Sequence, residues 1–530
     1  MEHAARRRRA YGGVSRGPVG YRASPSGSGI VASSLEVELK LRGRLDDLAA
    51  VFASLKGRKS KPSRLLSTYF DTRDGRLWRR GFTLRLREQE TGHELTLKRE
   101  IGRPLARGEW SATVEEPQAD IALLPDEAPR SDIGVILPEE LEPRFSSEIE
   151  RRQAIFKDHG TMIEASLDIG RIVAADREVP VAELEFELLS GSVLVMLEHI
   201  QTLVQRHPVS IGIRSKSARG RDLAMDAPPA SMKAAKPDLN ASDSIEHAVR
   251  EVISTTVAQI LGNLDCAADG RDPEGVHQLR VALRRLRTAF SIFKDHLTQQ
   301  VAVLDSDARY ALKLLGETRD LDVFLTETMP PVQDGNAGMT GLARLAEIAD
   351  ARRREAYEKI RHLVADRRFN FFLLELLRLA EWGGIAVSDP AAPLGPTAVR
   401  LLRKRHRKVL KVGRSFETLS HAQRHEVRIA LKKLRYACDY FQVLYSRKSC
   451  AGYLKRLSAL QDDLGRLNDA TVAERMVEDL AAGDPEAALG ATLVRGWYGH
   501  RLRATEPHMI EAWQAFTKAR PFWPQEKSRG

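Results

Sequence analysis

Residues 35–41 read Leu35-Glu36-Val37-Glu38-Leu39-Lys40-Leu41, and residues 183–188 read Glu183-Leu184-Glu185-Phe186-Glu187-Leu188. Successive side chains of a strand point to opposite faces, so in each stretch an apolar face backs onto a charged one. The alternation recurs in Thr83-Leu84-Arg85-Leu86-Arg87, Glu94-Leu95-Thr96-Leu97-Lys98, Arg107-Gly108-Glu109-Trp110-Ser111 and Glu164-Ala165-Ser166-Leu167-Asp168. One such strand is a solvated sheet face. About six of them, carrying both signs of charge, predict a sheet curled so that the charged faces line an interior. Unpaired charges inside a protein are costly, so that interior needs a guest that satisfies both signs. Clustered Arg and Lys match phosphate oxygens, and the Arg fork suits them best. Clustered Glu without Cys or His match a hard divalent cation, Mg2+ or Mn2+. A metal-bound oligophosphate inside a closed antiparallel barrel meets both demands, and closure removes exposed sheet edges.

The whole chain of 530 residues is too long for one ordinary core, and its 42% hydrophobic content is that of a globular protein. No apolar run reaches the roughly eighteen residues that a spanning helix needs, and the first thirty or so residues lack the apolar core of a secretory signal. These features predict a soluble, cytoplasmic protein without a membrane partner. Cys266, Cys438 and Cys450 are too few and too scattered for a disulfide framework or a zinc site. With 83 Lys+Arg against 72 Asp+Glu the net charge is +11, which suggests an anionic partner. Aromatic residues are only 6% of the chain, which disfavours a base-stacking surface, and no base-reading motif stands out. Neither a Gly-x-Ser-x-Gly elbow nor a Walker-type phosphate loop is present.

Texture divides the chain. Residues 1–33 hold Arg6, Arg7, Arg8 and Arg9 followed by Gly, Ser and Pro without periodicity, and read as a disordered basic tail. Strand texture fills 34–222, and residues 223–242, with Pro228-Pro229 and Pro237, read as a linker. From 243 to 520 the period becomes helical, with helices expected over Ile245–Leu264 and Val276–Phe293, and 521–530 reads as a C-terminal tail. The fold class is therefore α+β multidomain, an antiparallel β tunnel followed by an all-α bundle.

The helical half is duplicated. His277, Arg280, Arg284 and Arg287 recur at steps of three and four and share one helical face, and His425, Arg428, Lys432 and Arg435 repeat the spacing. Arg285 corresponds to Lys433. Downstream of each stripe lies an echo, Leu315-Gly316-Glu317-Thr318-Arg319-Asp320 and Leu464-Gly465-Arg466-Leu467-Asn468-Asp469, which predicts two repeats over about 243–390 and 391–520. Two facing basic stripes create a field suited to a long polyanion. A third cluster, Arg400, Arg403, Lys404, Arg405, His406, Arg407 and Lys408, is too dense for one face, so part of it is solvated.

The Glu36-Val-Glu38-Leu-Lys40 opening resembles the ExExK signature of the CYTH superfamily, the triphosphate tunnel metalloenzymes. The similarity continues through Thr68-Tyr69-Phe70-Asp71-Thr72, Leu84-Arg85-Leu86-Arg87, Leu95-Thr96-Leu97-Lys98, Arg107-Gly108-Glu109, Leu167-Asp168-Ile169-Gly170, the Glu183–Leu188 stretch and Ser215-Lys216-Ser217-Ala218-Arg219-Gly220. It implies an eight-stranded antiparallel tunnel that hydrolyses or cyclises triphosphate compounds with a divalent metal. By the same resemblance Glu36, Glu38, Glu185 and Glu187 hold the metal, with Glu183 as a further candidate. Lys40, Arg85, Arg87, Lys98, Arg151 and Lys216 clamp the phosphates. A slip of one residue would exchange Arg151 for Arg152 across the sheet. Asp168 and Glu109 match acidic family positions that orient the basic residues, and Asp168 is counted with Glu36, Glu38, Lys40, Arg85, Arg87 and Lys98 among the catalytic set.

The helical half resembles the CHAD domain, a conserved-histidine helical domain often fused behind a CYTH domain, and this implies binding of inorganic polyphosphate. His277, Arg280, Arg284, Arg285, Arg287, His425, Arg428, Lys432, Lys433 and Arg435 would be its ligands, the histidines acting as phosphate ligands or charge switches. The expected function is a metal-dependent inorganic triphosphatase acting on tripolyphosphate, with a polyphosphate-binding partner domain and a place in the cytoplasm, in association with polyphosphate granules where the polymer collects. A class IV-type adenylate cyclase or thiamine triphosphatase is the enzymatic alternative. A non-catalytic polyphosphate-binding protein is the other.

Overall fold

The computed structural model describes residues 35–100, 104–297, 301–336, 338–382, 389 and 391–525. The basic tail expected over 1–33 and the last five residues of the expected C-terminal tail lie outside the described residues. Ten strands occupy the first part: β1 (Leu35–Arg42), β2 (Arg58–Lys59), β3 (Ser63–Thr72), β4 (Phe82–Glu88), β5 (His93–Glu100), β6 (Ala106–Val114), β7 (Leu141–Asp158), β8 (Thr161–Ala174), β9 (Arg177–Ser190) and β10 (Ser210–Gly212). Eight of them form an antiparallel ring in the order β1-β6-β5-β4-β3-β7-β8-β9, closed by pairing of β9 with β1. The expected closed tunnel is therefore present. β2 adds to β7 outside the ring.

The closing strand is the one that opens the argument. On one edge of β1, Glu36 lies opposite Arg107 of β6, and further along Lys40 lies opposite Gly212 of β10. On the other edge, Glu38 faces Glu187 and Lys40 faces Glu185. Alternation then sends Val37, Leu39 and Leu41 to the outside and Glu36, Glu38 and Lys40 to the inside. The barrel is thus apolar outside and charged inside, and its outer face has to be covered.

Residues 115–140 cover one side, where Ile121, Leu124 and Ile133 close over Leu84, Leu86, Leu95 and Leu97. Helix α1 (Leu45–Ser54) buries Leu48, Val51 and Phe52, and α2 (Val193–Arg206) buries Met196, Leu197, Ile200 and Val204. Each fully buried Leu or Ile contributes roughly 1.5–3 kcal/mol, so this outer layer holds the ring closed. A short helix, α3 (Lys216–Met225), starts at Ser215, whose hydroxyl accepts the Ala218 N–H at 3.1 Å. α3 lies flush on β7 because residue 220 is glycine: a Cβ there would come within 2.2 Å of the Phe145 ring.

The rest of the described chain is helical: α4 (Ile245–Gly262), α5 (Leu264–Asp269), α6 (Glu274–Ile292), α7 (Val301–Val323), α8 (Thr340–Ala365), α9 (Arg367–Trp382), α10 (Leu394–Val412), α11 (His421–Phe441), α12 (Arg447–Leu480) and α13 (Pro485–Thr517). The helix expected over 245–264 breaks at Asn263, whose amide is drawn into two bonds with the backbone of Met232, at 2.9 and 2.8 Å. α7 runs through a π-helical turn at Phe324–Thr328 before a last short helix, Met329–Asp334. Ser420 and Gln423 cap the start of α11 reciprocally.

Two compact units result. One gathers the described residues of Met1–Lys233, Val257–Gly275 and His362–Gly384, and the other those of Ala234–Thr256, Val276–Arg361 and Ile385–Gly530. The barrel unit therefore includes two stretches from the helical half. Within it, α9 packs on α2, and the Gln201 amide donates to the Glu375 carboxylate.

Candidate functional site

The inward faces of the ring enclose a cavity of about 240 Å3. Glu36, Glu38, Lys40, Arg85, Arg87, Lys98, Arg151, Glu185, Glu187 and Lys216 all line it, so five strands and α3 bring together residues from positions 36 to 216. Arg151 faces the cavity, whereas Arg152 is on the outside and pairs with Glu150 at 2.8 Å. Asp168 does not line the cavity. It is fully buried behind it and binds Arg151 through two bonds of 2.7 and 2.6 Å.

Three carboxylates, Asp168, Glu183 and Glu185, have oxygens within 4.8 Å of one another, which is the spacing of a cation site. The centre of that cluster is taken by the Lys216 ammonium, at 2.6, 2.5 and 2.9 Å from the three residues. Lys40 and Arg151 also contact Glu185. Burial opposes charge on Glu185, but Lys216, Lys40 and Arg151 outweigh it and hold its carboxyl well below the usual range. Burial likewise pushes Glu38 up, yet Lys40 and Arg107 hold it down to about 2. This part of the wall is internally neutralised.

Two other parts of the wall are not. Glu187 is pushed up to about 7 by burial and by the neighbouring carboxylates of Glu36 and Glu164, with Lys98 opposing. Glu36 is raised by burial, against the pull of Lys98 at 2.7 Å. Lys98 is shared with Glu109 at 3.1 Å, so one ammonium serves several carboxylates. The opposite imbalance surrounds Arg87, which is depressed to about 10 by burial and by Arg85 and Arg151. Its Nε donates to the neutral Ser67 hydroxyl at 3.1 Å, and Arg85 is shared between Glu94 at 3.1 Å and Thr96 at 3.0 Å. One stretch of wall is short of cations and another is short of anions. Where a divalent ion would sit, the donor chemistry fits at Glu36 and Glu187, whose mutual repulsion it would relieve.

In the helical unit a second charge group forms between α6 and α11. Arg280, Arg284, Arg428 and Lys432 share one field: burial together with Arg428 and Arg284 lowers Lys432 to about 7, and burial with Arg284 lowers Arg280 to about 10. Asp320 of α7 and Asp469 of α12 act on the same group. The other stripe residues are placed differently. Arg285 is 5% exposed, stacks on the Tyr440 ring at 4.8 Å and accepts the Tyr440 hydroxyl on its carbonyl. Arg287 binds Asp305 at 2.7 Å, and Arg435 binds Asp439 at 3.0 Å. Lys433 lies in a second basic group with Arg405 and Arg287. His425 is exposed and His277 half-buried. In the third cluster, Arg403 donates to the Pro524 carbonyl, and Trp523 is buried against Tyr453 and Phe522.

Comparison with known proteins agrees with this geometry. A CYTH domain model matches residues 34–208, and a CHAD domain model matches residues 251–478. The chain is a CYTH–CHAD protein. The inorganic triphosphatase of Haemophilus influenzae is 29% identical over 161 residues, which are 29% of this chain and 44% of that protein. The chain thus spans less than half the length of that curated relative. The crystal structure of the CHAD domain from the plant Ricinus communis shares 27% identity at a TM-score of 0.46, covering 56% of this chain and 99% of that one. A Hippeastrum protein described as having a dominant triphosphatase activity shares 15% identity at a TM-score of 0.27, covering 36% of this chain and 95% of that one. No helix among the described residues is long and apolar enough to cross a membrane.

Two residues of the CYTH site escaped the sequence reading. Arg107 lines the cavity, contacts the Glu38 carboxylate and donates to the Ile213 carbonyl at 3.3 Å. Its signal was present, since Arg107, Glu109 and Ser111 share one strand face. Glu164 adds its charge to the Glu187 group, and its place opposite Glu187 is set by the β8–β9 register.

The buried pair behind the cavity and the exposed pair outside it make a direct contrast. Asp168→Asn is expected to destabilise the protein by about 3–5 kcal/mol, because it leaves Arg151 and Lys216 short of a buried partner. Arg152→Gln should change stability by no more than about 0.5 kcal/mol. Urea unfolding of both variants checks this, and equal effects would mean that Arg151 and Arg152 have been assigned to the wrong faces.

Proposed function

We propose that the CYTH tunnel is a metal-dependent inorganic triphosphatase that cuts tripolyphosphate to pyrophosphate and phosphate, and that the CHAD helices bind inorganic polyphosphate. In this reading residues 34–222 form the catalytic domain, 223–242 the linker and 243–520 the polymer-binding domain. One observation carries it: a single cavity has a carboxylate-rich wall at Glu36 and Glu187 and a guanidinium-rich wall at Arg85 and Arg87. A phosphate chain with its divalent ion supplies the missing charge on both walls at once.

Glu36, Glu38, Glu185 and Glu187 are the residues assigned to hold Mg2+ or Mn2+, with the best fit at Glu36 and Glu187. When bound, such an ion neutralises phosphate oxygens and lowers the pKa of a water molecule. Arg85, Arg87 and Arg151 grip phosphate oxygens as planar forks, and Lys40, Lys98 and Lys216 add point charges around them. Asp168 fixes the Arg151 fork from behind. Phosphoryl transfer needs chiefly such positioning and charge stabilisation. Among the described residues the cavity lining includes one aromatic ring, Tyr69, stacked on Phe145 at 4.5 Å. The other described lining residues are charged or hydroxyl-bearing, which supports the inorganic substrate over the cyclase and thiamine triphosphatase alternatives.

On the CHAD side, Arg280, Arg284, Arg428 and Lys432 form the anion-binding group, and Lys433 with Arg287 and Arg405 extends its charge. Lys432 is the pH-sensitive member. Its amine titrates near 7 in the free protein and is stabilised as ammonium by a bound phosphate, so affinity is greatest below pH 7 and declines as pH rises above it.

Two experiments test the two halves. Glu36→Gln and Glu38→Gln should each lower metal-dependent tripolyphosphate hydrolysis by about a hundredfold or more, whereas full activity in both would remove the proposed metal site. Reversing Arg280, Arg284, Arg428 and Lys432 to Glu should abolish retardation of polyphosphate in a gel and leave tripolyphosphate hydrolysis intact. In the wild type, retardation should weaken from pH 6.5 to pH 8.5, and Lys432→Arg should flatten that profile. Unchanged retardation after reversal would contradict the groove.

A further inference from the structure

We infer that Asp265 and Asn370, two side chains from the helical half of the chain, are positioning residues that seat Lys216 in the tunnel. Only the kinetic consequence rests on the triphosphatase reading; the seating itself is a matter of contacts within the barrel unit.

Lys216 enters the cavity from the first turn of α3, and the chain reaches that turn through residues 210–215. This approach is held at successive backbone groups. The Ile211 N–H donates to the Asn370 side-chain oxygen at 2.7 Å. Arg107 donates to the Ile213 carbonyl and Arg42 to the Arg214 carbonyl, each at 3.3 Å. Both arginines belong to ring strands, so the approach is bolted to the tunnel wall.

The two helical residues fix these bolts. Asp265 accepts the Arg42 Nη1 on both carboxylate oxygens, at 3.0 and 2.9 Å, and lies 3.9 Å from the Arg214 Nε. The Arg42 stem runs across Gly212, where a Cβ would come within 2.5 Å of its Nε, so the glycine is what leaves the stem its path to Asp265. Asn370 is 1% exposed, and its amide nitrogen donates to the carbonyls of Val364 and Asp366 at 2.8 and 2.9 Å. Those two bonds fix which way the amide points and so present its oxygen to Ile211.

Charge gives Asp265 a second effect. Arg42, Arg214 and Arg219 gather around the start of α3, and Arg219 donates to the Glu183 carboxylate at 3.2 Å. The other oxygen of Glu183 takes Lys216 at 2.5 Å. Arg214 has its own partner in Asp222 of α3, which ties it to the helix. Removing the Asp265 charge leaves Arg42 and Arg214 to repel Arg219 and to compete for Glu183. The ammonium of Lys216 then loses its fixed place beside the phosphate path.

The test uses the full chain with Asp265→Asn, which keeps size and removes charge, and Asp265→Glu, which restores it. Asp265→Asn should raise KM for tripolyphosphate about tenfold with a smaller change in kcat, and Asp265→Glu should recover part of the loss. Amides 211–219 should exchange hydrogen faster in Asp265→Asn and in Asn370→Ala. Arg42→Gln should cost less in the Asp265→Asn background than it does in the wild type, because the two residues are coupled through their ion pair. Wild-type KM together with wild-type exchange at 211–219 in Asp265→Asn would overturn the inference. If the wild-type protein itself does not turn over tripolyphosphate, the triphosphatase reading falls, and the exchange measurement alone decides whether Asp265 and Asn370 seat α3.

Discussion

Everything in the barrel follows from its having charges on the inside. An ordinary barrel closes around apolar side chains and is wetted from without. Here the inward positions of β1 hold Glu36, Glu38 and Lys40, and the apolar positions face outward. Closure is therefore driven by the cover of helices and loop on the outer face, while the interior is stable only so far as its charges pair. The cluster around Lys216 shows the pairing at its fullest, with one buried ammonium against Asp168, Glu183 and Glu185.

Incomplete pairing elsewhere in the same cavity is what gives the tunnel a use. A neutral interior would reject a charged guest, and a wall of one sign would bind any counter-ion. A wall with surplus carboxylate near Glu187 and surplus guanidinium near Arg87 is complementary to a guest that carries both signs in one complex. The helical unit solves a simpler problem by similar means. Burial and the neighbouring guanidinium groups lower the proton affinity of Arg280, Arg428 and Lys432, and Asp320 and Asp469 temper a field whose natural complement is a polyanion.

The strand faces and most of the cavity lining were legible in the sequence because a period of two leaves no choice about which side a residue takes once closure is accepted. Glu36, Glu38, Lys40, Arg85, Arg87 and Lys98 follow directly. What alternation cannot tell is depth: Asp168 shares the face of Glu164 and Ser166, yet lies behind Arg151 and Lys216 instead of at the surface of the cavity. Helical spacing has the corresponding weakness. It places Arg285, Arg287 and Arg435 beside the basic stripe, but their partners Tyr440, Asp305 and Asp439 are decided by helix contacts or by rotamers that spacing does not fix. The inclusion of Val257–Gly275 and His362–Gly384 in the barrel unit depends on contacts across more than a hundred residues, and no local pattern announces it.

The central claim is that the two unbalanced walls of the tunnel are completed by a metal-bound inorganic triphosphate. Phosphate release by the purified protein, measured with Mg2+ or Mn2+ on tripolyphosphate, ATP, thiamine triphosphate and long-chain polyphosphate side by side, tests it most directly. The account predicts strong, metal-dependent preference for tripolyphosphate. No turnover of any of the four, with the long polymer still bound, would contradict it and leave a polyphosphate-binding protein whose tunnel serves another task.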